Sequence, residues 1–325
     1  MKIFLSLLLL INILLGEINL KIASYNVENL FDLQKSGNEY QEYIPFTSSN
    51  WNQKNYKIKL KNLSRVIKDI NADIIALQEI ESLQALKDLR YKLKQDGLYY
   101  KYYKIANRKN TTIKVAILSK IPFSYTKEIF VTSSLKYRNI LEVKFKINNK
   151  YLYIFTNHWK SKSGPESRRI ISAKALRNRM KILGNDKNII LLGDFNSDYE
   201  EYIKFIRKRK YNDSGGKTGI NHVLKSINNK SLLFYNLWYD TNVDKRWSYI
   251  FRGKKEALDN ILISKSLQNN SGIFYKKSSI TSFKPKYLLK GKSIYRWKTS
   301  WKKPRKHKGK GYSDHLAVVA EFIIL

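Results

Sequence analysis

The stretch NIILLGDFNSD, residues 188–198, runs from an apolar segment straight into Asp194 and Asn196, two polar side chains on one face of an extended chain. The layout recurs elsewhere: Asn26 with Glu28 after NLKIASY, Gln78 with Glu79 after ADIIAL, Asn157 with His158 after YLYIFT, and Asp314 with His315 before LAVVAEFII. A short, continuously apolar run is what a strand buried on both faces looks like. Several such strands in one chain demand a layered sandwich whose polar strand ends emerge together. Each pair alone also fits a turn, because Asp and Asn are ordinary turn residues. His158 alone fits a structural histidine as well as a catalytic one. Together the bland readings fare worse, since two of the four histidines fall at strand ends beside other polar groups. Carboxylates, amides and imidazoles converging on one lip of a β-sandwich are what metal-assisted hydrolysis requires.

The segments between these strands supply helices. NYKIKLKNLSRVIKDI places Ile58, Leu60, Leu63, Val66, Ile67 and Ile70 at helical spacing, and SLQALKDLRYKL predicts a second helix. A third is predicted from Pro165 through ESRRIISAKALRNRMKIL to a Gly184 stop, with Ile170, Ala173, Leu176, Met180 and Leu183 as its apolar stripe. A fourth is expected near YEEYIKFIRK, followed by a looser Gly- and Asn-rich section at about 212–230. Strand pairs at hairpin spacing alternate with strand–helix units, so the expected class is α+β.

Charge adds a second constraint. The chain carries 62 Lys and Arg against 26 Asp and Glu, a formal net charge of +36. An AT-rich gene would inflate Lys but would not remove acids, so the imbalance points to a polyanionic partner, nucleic acid first and an anionic membrane surface second. The absence of cysteine excludes disulfides, thiolate metal sites and a Cys nucleophile. Lys2 followed by the apolar stretch Ile3–Leu15 fits a secretory signal peptide over about 1–18, leaving one domain over 19–325. The expected destination is therefore the periplasm or the exterior, with no membrane span once the signal is removed.

In chain order, SYNVENLFD, LQEIE, TNHWKSK, GDFNSD, LDNILIS and SDHLAV resemble the motifs of the endonuclease/exonuclease/phosphatase superfamily, the deoxyribonuclease-I-like fold, with its secreted bacterial nucleases closest. They span residues 24–318. The resemblance implies a four-layer α/β/β/α sandwich, two mostly antiparallel sheets packed face to face with helices outside. It also implies a monomer and a divalent metal, Mg²⁺ with Mn²⁺ as a substitute; a structural Ca²⁺ is left open. Matched position by position, Glu79 corresponds to the principal metal ligand, Asn26 and Glu28 to residues that hold the metal and its waters, and Asp314 to the acid beside it. Asp194 and Asn196 correspond to the pair orienting water and scissile phosphate, His315 to the catalytic histidine, Asp259 to its partner, and His158 to the second histidine. Arg138 corresponds to a phosphate-contacting arginine. Two departures stand out: Ser248 replaces a frequent Thr, and Asn260 follows Asp259 where many members have His or Arg, read as a specificity difference.

The superfamily hosts nucleases, phosphatases and sphingomyelinases, so the substrate needs separate evidence. Lys160, Lys162, Arg168 and Arg169 follow His158, where a phosphate backbone would approach. No acid lies between Asp259 and Asp314, and the segment at about 275–312 interleaves Lys and Arg with Tyr295, Trp297, Trp301 and Tyr312. Such a segment can neutralise phosphates and stack on bases, with Trp297 and Trp301 as the expected platforms; a solvated Lys-rich loop is the bland alternative. The expected activity is a secreted, metal-dependent nuclease, with DNA the favoured substrate. A sphingomyelinase-like phosphodiesterase or another phosphatase of the superfamily is the alternative, and a non-catalytic scaffold comes third.

Overall fold

The computed structural model describes residues 17–184, 186–205, 211–227 and 232–325. The expected leader lies outside them except for Glu17 and Ile18, and Ile18 already opens the first strand. Parts of the expected fourth helix (206–210) and of the looser section (228–230) also lie outside.

In the first half of the chain, β1 (Ile18–Leu30) leads into α1 (Gln53–Ile70), β2 (Ile74–Ile80) and α2 (Leu83–Gln95). Next come β3 (Tyr102–Ile105), β4 (Lys114–Ser119), β5 (Phe123–Ile129), β6 (Ile140–Ile147) and β7 (Lys150–His158). After α3 (Ser167–Leu183) and β8 (Asn188–Asp194), the fourth helix is a single turn, α4 (Glu201–Lys204). Then follow β9 (Phe234–Asn236), β10 (Tyr249–Phe251), β11 (Lys254–Glu256) and β12 (Asp259–Ser264). The chain continues through β13 (Ile273–Tyr275), β14 (Thr281–Phe283), β15 (Leu289–Lys290) and β16 (Ser293–Ile294) to β17 (Ala317–Ile324).

Two sheets carry the fold. The first has the order β13-β17-β1-β2-β4-β3, with β14 also on β17; the second has the order β5-β6-β7-β8-β12-β9. The expectation of mostly antiparallel sheets holds with one parallel pair in each, β1/β2 and β7/β8. A parallel pair needs a crossover, and α1 and α3 provide them. Their starts and stops follow local chemistry. Asn52 caps α1 by accepting from the Asn55 amide at 3.2 Å, Ser82 caps α2 from Ala85 at 2.9 Å, and Gly184 ends α3 at positive φ.

Both faces of each sheet are covered, which explains the uninterrupted apolar runs. Ile22, Ile74, Ala76 and Val318 of the first sheet pack against Val143, Ile154, Ile190 and Leu192 of the second. Their alternate neighbours Tyr25, Ile75 and Leu77 face Leu63 and Ile67 of α1 and Leu86 and Leu89 of α2. On the opposite side, Phe155 and Leu191 meet Ala173, Leu176 and Met180 of α3. The result is the expected four-layer α+β sandwich.

The β7/β8 pair approaches closely at one point. A Cβ on Gly193 would sit 2.1 Å from the Asn157 carbonyl oxygen, and Gly193 has φ +137°. Only glycine fits there, one residue before Asp194. Gly193→Ala should lower stability by about 3 kcal/mol or more, read as a reduced urea midpoint. A midpoint like that of the parent would contradict the close approach.

Candidate active site

Sheet register assembles the site. Asp259 on β12 lies opposite Asp194 on β8, and Asp194 lies beside His158 on β7. Three consecutive strands of the second sheet thus deliver two carboxylates and an imidazole in one row. The first sheet brings Asn26 and Glu79 to the same lip. Asn26 joins the two sheets, donating through Nδ2 to Glu79 Oε1 and to Asp194 Oδ2, each at 3.1 Å, while its Oδ1 accepts from the Glu28 amide at 3.0 Å. Asn26 therefore orients two carboxylates and has its own oxygen engaged.

The strand exits are bent to achieve this. Glu28, Asn29, Glu79 and Asn196 all have positive φ, and the registers of β1 on β2 and of β2 on β4 slip at Asn26–Leu30 and Gln78–Ile80. Bulges of this kind re-aim side chains at the end of a ladder. Each left-handed non-glycine residue costs on the order of 1 kcal/mol. Their concentration at one lip marks where the fold is bent to suit the site.

Asp194 is buried between two histidines. Its Oδ2 lies 3.6 Å from His158 Nε2 and 3.9 Å from His315 Nε2, and its Oδ1 accepts from the Asn196 amide at 2.8 Å. His315 is fixed from behind, with Nδ1 2.7 Å from Asp259 Oδ2, which also accepts from Ser248 Oγ at 2.6 Å. The hydroxyl that Ser248 retains in place of Thr is thus bonded to Asp259. Burial pushes the Asp194 carboxyl up to about 7, with His315 opposing and Asp259 adding to the rise. Burial works against a charged His315, but the Asp259 charge and hydrogen bond prevail and hold it well above the usual imidazole range. His158 goes the other way: burial, then Arg138, His315 and Lys160, keep it well below.

His158, Asp194, Asn196, His315 and Glu79 line a cleft of about 550 Å³ together with Asn29, Tyr40, Arg138 and Asp314. Among the described residues, Asp194, Asp259 and His315 place possible ligand atoms within 4.8 Å of one another, so this buried group could bind a metal. Asp259 Oδ2, however, already accepts from His315 and Ser248. Glu79 and Asp314 line the cleft, as Asp259 does not, and so offer the oxygens open to a hard divalent ion. Burial and then repulsion by Asp314 raise the Glu79 carboxyl above its ordinary value, a cost that a cation held by the two acids would relieve. Asn29, which sequence reasoning missed, donates its amide to Glu79 Oε2 at 2.9 Å and leaves a buried, unpartnered Oδ1 at the cleft. Hard oxygen donors and an orphaned carbonyl fit Mg²⁺ or a similar ion.

Several expected residues sit elsewhere. The Glu28 carboxylate turns to Arg296 and to the Trp297 amide rather than joining Glu79. Arg169 is 1% exposed, paired with Glu166 at 2.6 Å, and donates to the Ser161 carbonyl; it braces the loop after β7 and cannot reach a substrate. Trp297 is also buried, its ring edge-on to Trp51 and its Nε1 donating to His307 Nδ1 at 2.8 Å, so it is no stacking platform. Asn260 is fully buried and ties down the carbonyls of Ser197, Ala257 and Leu258, a structural role in place of the expected specificity role. Lys162 lines the cleft but is paired with Glu201 and Glu256, and Lys160 donates to the Lys136 carbonyl. Arg138 lines the cleft, Arg168 is exposed, and Trp301 is 98% exposed.

A family model described as "Endonuclease/Exonuclease/phosphatase family" matches residues 21–323. The chain belongs to that family. It is accordingly a phosphoester hydrolase of a divalent-metal-dependent class. Among curated protein sequences, none matches it significantly. Solved structures share its fold. Danio rerio TDP2 complexed with single strand DNA product has a TM-score of 0.59 and 14% identity, over 94% of this chain and 98% of that one. A mannosyl-6-phosphatase from Bacteroides thetaiotaomicron has a TM-score of 0.57 and 16% identity, over 93% and 99%.

The buried acids predict a pH effect on the metal-free protein. Asp194 and Glu28 both lie at about 7. A carboxyl raised on folding adds stability that is complete below its unfolded value, about 4, and is lost as pH rises through 7. His315 acts in the same direction and His158 in the opposite one. In EDTA the melting temperature should fall from pH 5 to pH 8. The increment restored by Mg²⁺ should grow over that interval, because the ion binds ionised carboxylates. Scanning fluorimetry at three pH values reads both trends; an increment independent of pH would contradict the assignment.

Proposed function

We propose that this enzyme is a divalent-metal-dependent nuclease cleaving phosphodiester bonds of nucleic acid, with DNA the favoured substrate. The observation carrying this reading is the arm beside the cleft. Residues 298–310 fold back on themselves, the Lys298 amide donating to Lys310 O at 2.8 Å and the Ser300 amide to Lys306 O at 2.9 Å, with Trp301 projecting at the tip. Lys302, Lys303, Arg305, Lys306, Lys308 and Lys310 are exposed on it, and it runs directly into Asp314 and His315. A polyanion following this arm would lead its phosphates into the cleft. The single-strand DNA product held by TDP2 of the same fold is consistent with nucleic acid as the substrate class.

The chemistry follows from the row of residues. A divalent ion on Glu79 and Asp314 offsets the phosphodiester charge and polarises the scissile P–O bond when bound. Asp194, ionised above about pH 7, accepts the proton of a water held between it and Asn196 as that water attacks phosphorus; the scissile P–O bond breaks and the departing sugar oxygen takes a proton from solvent. His315, kept as imidazolium by Asp259, hydrogen-bonds a non-bridging phosphate oxygen as charge builds there. His158 stays neutral and bonds the same phosphate without a second proton to lose. Arg138 holds the phosphate from the opposite wall. Lys2 and the apolar run after it support export, which N-terminal sequencing of protein from the culture medium or periplasm would check.

Nicking of supercoiled plasmid tests the reading. Relaxation should occur in Mg²⁺, stop in EDTA, and fall by about 10³-fold in Asp194→Ala and His158→Ala with the fold retained. Intact plasmid and intact single strands, with phosphate released from a sugar monophosphate, would instead make this a phosphatase like the Bacteroides neighbour. Trp301→Ala tests the arm separately: melting should not change, and single-stranded DNA should bind about tenfold more weakly. Undiminished binding would remove Trp301 from the interface.

A further inference from the structure

We propose that Arg296 is a positioning residue that keeps Glu28 out of the metal centre and fixes Asp314 beside it, so that the centre takes one divalent ion and not two. The inference rests on the divalent-ion reading above and specifies its stoichiometry.

Both oxygens of Glu28 are held by the segment that carries Arg296, turned away from Glu79. Its Oε1 accepts from Arg296 Nε at 2.9 Å and from Nη2, and its Oε2 accepts from the Trp297 amide at 3.0 Å. The same Nη2 lies 3.2 Å from Asp314 Oδ2, so one guanidinium bridges two acids from distant parts of the chain. A planar fork suits this bridging, where a lysine would offer a single point charge. Lys59 supports the arrangement from below. It is fully buried and donates to the Glu28 carbonyl at 2.8 Å and the Tyr312 carbonyl at 3.1 Å, tying together the two segments that carry the acids.

The backbone is shaped for this contact. A Cβ on Gly311 would lie 1.9 Å from the Arg296 carbonyl oxygen, and Gly311 has φ +91°. The Tyr312 amide donates to Tyr295 O at 2.9 Å, so Arg296 is held next to the Asp314 segment by main-chain bonds. Glu28, Glu79 and Asp314 at one lip are a set of hard oxygen donors large enough to bridge two ions. With Arg296 engaging Glu28 and one oxygen of Asp314, the donors left facing the cleft suffice for a single ion.

Calorimetric titration of Mn²⁺ into the metal-free full chain measures this directly, with circular dichroism melting to confirm that each variant folds. The parent should bind one ion, and Glu28→Gln should also bind one, with affinity within about threefold. Arg296→Gln should gain a second ion or bind at least tenfold more tightly, and the Arg296→Gln/Glu28→Gln double variant should return to one site of parental affinity. Arg296→Lys, which keeps a charge between the acids, should hold the count at one. Tenfold weaker binding in Glu28→Gln would make Glu28 a ligand and overturn the proposal while leaving the metal reading intact. Unchanged stoichiometry and affinity in a folded Arg296→Gln would also overturn it. A parent that binds no Mn²⁺ would remove the metal reading itself, a distinguishable failure.

Discussion

Carboxylates crowded at the lip of an apolar sandwich repel one another and resist ionising, and the rest of the site is arranged around that cost. Asn26 donates to two of them at once, across the sheet interface. Arg296 bridges two more. Asp259 is answered by His315 and Ser248. These donors offset only part of the repulsion, and burial together with Asp314 still raises the Glu79 carboxyl above its ordinary value. Two half-buried like charges cost stability, and a bound cation would relieve that cost. Binding of a divalent ion and stability of the fold are therefore linked through the same residues.

That linkage also accounts for the strained strand exits. A regular strand sends successive side chains to opposite faces, which would bury half of the site in the helix layers. Positive φ at Glu79 and Asn196, with the slipped registers of β1 and β2, breaks the alternation where the strands leave the sandwich. The paired donors then hold the bent segments in place, so each strained residue is over-determined by hydrogen bonds.

The framework of the site is legible in the sequence because it follows from burial. A strand covered on both faces must be apolar, so a polar residue at its end is conspicuous, and register does the rest. Asp194, Asp259 and His158 could be read from the chain for that reason. Residues placed by tertiary partners could not. Arg169 reads as one more cation after His158, though Glu166 three residues earlier is a helical-spacing pair that signals an internal bridge. Trp297 and Trp301 look alike in a Lys-rich segment, and only the packing of Trp51 and His307 separates the buried ring from the exposed one. Arg296 had no signal at all, since its role depends on acids at positions 28 and 314. Asn29 had a faint one: Asn directly after a polar strand end is a residue prone to the left-handed region.

The division between cleft and arm suggests how one scaffold serves several substrates. The row Asp259–Asp194–His158 is set by sheet register, and moving any of its members would mean re-pairing strands buried on both faces. The arm is joined to the sandwich by main-chain bonds near Arg296, by the buried Trp297 and by His307, whose amide donates to Ser49 O at 2.8 Å and whose ring packs on Tyr43 and Trp51, while Trp301 at its tip is exposed. On the proposed reading, changes at the tip would alter which polyanion is captured without touching the groups that line the cleft. Arg296 stands at the base of the arm and bonds two acids of the lip. A strand bound to the arm would then act on Asp314 by two routes, the main chain through Tyr312 and this side chain, so substrate capture and the charge of the catalytic centre would be coupled there.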